Sequence, residues 1–126
     1  MSRSMNKKLA KIIKSITEDT KTLTIAILES PTKWDLISFY HANPFSIHTA
    51  KGLANMIGRK VDQIFEDAEE LARLNVLEKV CETGNASSIY SYEPTSDNAA
   101  LLDTLIELVK DDQSLADELL HLLTEN

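Results

Sequence analysis

The sequence predicts a mainly α fold that carries one small β-hairpin. Apolar residues recur at helical spacing through most of the 126 residues, and only three Gly and three Pro are present, too little turn material for an all-β fold. The third observation is that Val, Ile and Tyr gather on either side of a single Gly84-Asn85 turn. An apolar share of 43% is that of a folded chain. The length allows one domain with a core and one or two accessory helices.

Within residues 1–29, Leu9, Ile12, Ile13 and Ile16 fall at i, i+3, i+4 and i+7, and Leu23 and Ile27 extend the stripe. Lys7, Lys8, Lys11 and Lys14 project on the opposite face and form, with Arg3, a basic arm on an amphipathic helix. Residues 22–27 alternate and are β-branched, so a strand is the other reading there. Ser30 as N-cap and Pro31 at the first helical position start the next helix, which bears Trp34, Leu36, Ile37, Phe39 and Tyr40. It ends at Asn43-Pro44, because a residue before Pro avoids helical geometry. After a loop, Thr49 caps a short helix with Leu53, Ala54, Met56 and Ile57, closed by Gly58.

A helix from about Val61 to Leu74 turns Ile64, Ala68, Leu71 and Ala72 to one side. Extended runs at 75–82 and 88–93 make the hairpin, with Tyr90 and Tyr92 anchoring the returning strand and Pro94 ending it. Residues 96–126 read as a helical pair. Ser96-Asp97-Asn98 supplies caps for the first helix, Asp111-Asp112-Gln113 interrupts, and Ser114 with Asp117 resembles a capping box for the second.

Helix, short helix, tight turn, helix and hairpin is the order of a winged helix-turn-helix, placed here at residues 30–95 with flanking N- and C-terminal helices. The stretch from Leu53 to Leu77 resembles the core of MarR- and ArsR-like regulators. It carries Leu53-Ala54 in the second helix, the Gly58 turn, Val61 early and two Leu late in the third helix, and Asn75 where those families often have Gly. Asn is the next best residue for left-handed geometry. The resemblance covers about residues 31–95 and implies a transcription-regulator-like role. The same fold also serves as a protein-contact module.

A DNA-reading winged helix sets its third helix in the major groove. The matching surface here is Val61, Asp62, Gln63, Phe65, Glu66, Glu69 and Glu70, flanked by Arg59 and Lys60. Only Arg59, Lys60 and Gln63 suit DNA, since affinity for a duplex relies on neutralising phosphates. The wing sequence from Glu82 to Ser88 has no Arg or Lys. Contact with a protein partner, with Phe65 facing out, is therefore the first expectation. A dimeric regulator that binds duplex DNA is the alternative, and the basic arm is its counterweight. Residues 1–28 hold six basic and two acidic side chains, a net of +4, and the other 98 residues hold seven and eighteen, a net of -11. The bland reading of the arm is a solvated face.

The two C-terminal helices carry more leucine than a small core needs. A homodimer through Leu101, Leu105, Leu108, Leu115, Leu119 and Leu122 is expected, and packing back on the chain's own core is the other reading. His41, His48, His121 and Cys81 show no metal-ligand spacing, and no phosphate loop or nucleophile motif appears, so neither metal, cofactor nor enzymatic activity is expected. Cys81 reads as a buried, inert thiol. No apolar run nears the roughly 18 residues of a membrane span, and the first residues do not form a secretory signal. With a single cysteine, the cytoplasm is the expected location.

Overall fold

A computed structural model of the chain describes residues 7–81, 84 and 86–125. Arg3 of the basic arm and Glu82, Thr83 and Asn85 of the wing lie outside the described residues. In chain order the elements are α1 (Lys7–Ser15), α2 (Glu18–Leu28), α3 (Pro31–Ala42), β1 (Ile47–Thr49), α4 (Ala50–Ile57), α5 (Val61–Arg73), β2 (Leu77–Cys81), β3 (Ile89–Tyr92), α6 (Ser96–Asp111) and α7 (Ser114–Thr124). The architecture is mainly helical with a small antiparallel sheet of order β1-β3-β2.

The expected N-terminal helix is two helices. Thr17 leaves helical geometry and exchanges hydrogen bonds with Thr20, each side chain accepting from the other's backbone N–H, which caps α2 and interrupts the stripe. Residues 22–27 are helical, so the strand reading fails. Thr20, Leu23, Thr24 and Ile27 form a buried i, i+3, i+4, i+7 face, and the Thr24 hydroxyl donates to the Thr20 carbonyl at 2.7 Å. Burying that face outweighs the weak strand preference of its β-branched residues.

Local start and stop signals act as expected along the middle of the chain. Ser30 accepts from the Lys33 N–H with Pro31 at the first position, and Thr49 accepts from the Gly52 N–H at 2.9 Å. Gly58 closes α4 at φ 85°, in open space, so backbone conformation alone demands glycine there. Asn75 takes φ 67° between α5 and β2.

The C-terminal caps differ from expectation. Thr95, not Ser96-Asp97-Asn98, caps α6, because buried Asn98 instead donates to the carbonyl oxygens of Leu74 and Asn75 at the end of α5. Ser114 and Asp117 make no capping box. Asp112 accepts from both the N–H and the hydroxyl of Ser114 at 3.0 and 2.7 Å, which turns the chain into α7.

The hairpin forms with a bulge, since Lys79 faces Tyr90 and Cys81 faces Ile89, leaving Val80 as the extra residue. Strand β1, absent from the sequence-based expectation, pairs Ile47 with Ser91 and Thr49 with Ile89. Ile64, Ala68 and Leu71 are fully buried, as are Leu53 and Tyr90, and α1 and α2 pack on α6 and α7 to complete the core. Cys81 is half-buried rather than buried. No helix among the described residues is long and apolar enough to cross a membrane.

Candidate functional site

The exposed side of α5 and its approach were expected to meet the partner. Lys60, Asp62, Gln63 and Glu66 are exposed there, and Lys60 and Gln63 line a cleft with Ala54, Asn55, Gly58 and Arg59. Asp62 and Glu66 stand one helical turn apart and share a face, and neither has an ion-pair partner among the described residues. Arg59 is committed elsewhere. Its Nε and Nη2 both donate to Asp35 Oδ2 on α3, at 2.8 and 2.7 Å.

Three residues of α5 depart from expectation. Phe65 is half-buried and packs against the core, because helix rotation places it beside the inward stripe; it is not an outward anchor. Glu70 pairs with Lys33, whose buried ammonium donates to Asp67 at 2.8 Å and to Glu70 at 2.9 Å. Burial alone would lower the Lys33 pKa, but those two carboxylates outweigh it and raise it. Glu69 accepts from the Tyr90 hydroxyl at 2.5 Å and pairs with Lys79 at 2.9 Å. Burial would raise its pKa, yet the Lys79 and Tyr90 hydrogen bonds hold it below the usual range. The acidity counted on this helix is thus partly spent on ion pairs within the fold, and Asp62 and Glu66 remain exposed with no such partner among the described residues.

The basic arm is present in α1, where Lys7, Lys11 and Lys14 are exposed. Lys8 is tied to Asp111 at the end of α6, which anchors the arm to the body. The leucines expected at a dimer interface are a correction. Leu101, Leu105, Leu108, Leu115 and Leu119 are buried within their own chain, because α1 and α2 lie over α6 and α7, and only Leu122 is exposed, at 37%.

The histidines lie apart. His41 Nε2 is 2.8 Å from Asp103, His48 in β1 sets its ring edge-on to Phe39, and His121 faces Glu125 at 3.5 Å. No group of three or more metal-ligating side chains is found among the described residues.

A second surface escaped sequence reasoning. Phe45, Ile47 and Val80 are 96%, 58% and 53% exposed and line one cleft with Pro44, Tyr92, Glu78 and Glu93. The residues come from three separate stretches of chain. Only the pairing of Ile47 and Glu78 with the same residue, Ser91, brings them together, and no one-dimensional pattern announces that.

Compared with known protein families, curated proteins and solved structures, the chain matches none.

Proposed function

We propose that the chain is a non-enzymatic winged-helix regulatory protein that works by contacting another protein. The order α3, β1, α4, α5, β2, β3 supports the winged-helix reading, with α4 and α5 as the helix-turn-helix around Gly58 and the β2–β3 hairpin as the wing. The observation that carries the choice of partner is the charge at the start of α5. Asp62 and Glu66 face solvent unpaired while Arg59 is held by Asp35. A duplex approaching the start of this helix would bring phosphates toward two carboxylates, with the exposed Lys60 beside them.

Fluorescence anisotropy with a labelled mixed-sequence duplex at low salt tests this. No saturable binding is expected at micromolar protein. The double variant Asp62→Lys/Glu66→Lys should acquire salt-sensitive, non-specific affinity, since it turns the same face basic. Strong binding by the unaltered chain, steeply weakened by salt and dependent on Lys7, Lys11 and Lys14, would overturn the proposal in favour of a DNA-binding regulator.

A further inference from the structure

We infer that the cleft beside the turn at residues 43–46 docks a basic, amphipathic segment of another protein, an inference that rests on the protein-contact reading above. Five large apolar side chains are exposed among the described residues, and three of them, Phe45, Ile47 and Val80, meet in this one cleft of 540 Å³. Scattered single exposures need no explanation, whereas a cluster rimmed by polar groups marks an interaction site.

The turn that presents Phe45 is closed by its own hydrogen bonds. Ser46 donates to the Asn43 carbonyl oxygen through its N–H at 3.1 Å and its hydroxyl at 2.7 Å. Asn43 Nδ2 donates to the Phe39 carbonyl at 3.0 Å, and Pro44 sets the backbone at the turn's second position. Phe45 is therefore held away from the body instead of folding back on it. An exposed aromatic side chain is the type that dominates interface energetics.

Charge selects the occupant. Glu78 and Glu93 are the only charged side chains lining the cleft, both exposed, and neither has a cationic partner among the described residues. An apolar side chain flanked by Lys or Arg satisfies both features at once. A second copy of the chain in a symmetric face-to-face contact would set Glu78 and Glu93 against their own duplicates in a molecule of net charge -7.

A phage-displayed random peptide library selected against the full chain tests this, with enriched peptides synthesised and titrated by anisotropy. The enriched peptides should join an aromatic or aliphatic residue to neighbouring Lys or Arg. Binding should weaken about tenfold or more in Phe45→Ser and in Glu78→Lys/Glu93→Lys. All three positions are exposed, and circular dichroism checks that both variants fold. No enrichment, enrichment without basic residues, or affinity unchanged in both variants overturns the inference. So does a concentration-dependent dimer that Phe45→Ser abolishes, which would give the cleft to a second copy. If the selection fails and duplex DNA still does not bind, only the location is lost. Duplex binding by the unaltered chain removes the protein-contact reading itself.

Discussion

The Tyr40 hydroxyl donates to the Tyr90 carbonyl oxygen at 2.8 Å, joining α3 to the central strand of the sheet. The Tyr40 ring also stacks on Tyr92, with centroids 6.0 Å apart and planes 6° from parallel. Burial raises the Tyr40 phenol well above its usual range, and burial with the Asp103 charge pushes Tyr92 to about 12.

Tyr40→Phe keeps the stack and removes the donor, so it should cost about 1–1.5 kcal/mol in urea unfolding. An unchanged midpoint would show that the bond contributes nothing net.

Glu69→Gln should show its effect through pH. A carboxylate lowered by folding stabilises the chain above its unfolded value of 4.5, and that contribution is lost as pH falls through the lowered folded value. The variant should thus be less stable at neutral pH by about 1.5–3 kcal/mol, with the gap closing in acid. A gap that stays constant down to strong acid would mean packing, not charge, is responsible.

Lys33→Met leaves Asp67 and Glu70 without their shared cation and should destabilise by roughly 1.5–3 kcal/mol. Because folding raises the Lys33 pKa, its contribution is complete below the unfolded value of 10.5 and is lost as pH rises through the folded value. Chemical denaturation from pH 6 to pH 9 should therefore give a constant difference from the parent chain.

Leu105→Ala opens a cavity at a fully buried position and should cost about 2–5 kcal/mol. Sedimentation should return the same mass before and after the change. A dimer that dissociates on this substitution would restore the leucines to an interface.

Features set by neighbouring residues were legible in the sequence. Ser30, Thr49 and Gly58 act within one helical turn, and Asn75 needed only its own tolerance of positive φ. The inward stripe of α5 followed from helical spacing. What escaped depends on distant partners. Strand β1 is three residues long and exists because β3 lies beside it, more than forty positions later. Lys33 meets Asp67 across 34 positions, so the acid count of α5 overstated what solvent meets. Asn98 reads as a capping residue until the end of α5 arrives to take its amide.

Because α1 rests on α6 and α7, the first described helix and the last are neighbours across about a hundred positions. During synthesis at about 5–20 residues per second, Leu9 and Ile12 would wait on the order of ten seconds for the surface that shelters them. The nascent chain therefore carries this apolar stripe uncovered until α6 and α7 have emerged, and a ribosome stalled in α5 would display it to whatever chaperone stands nearby.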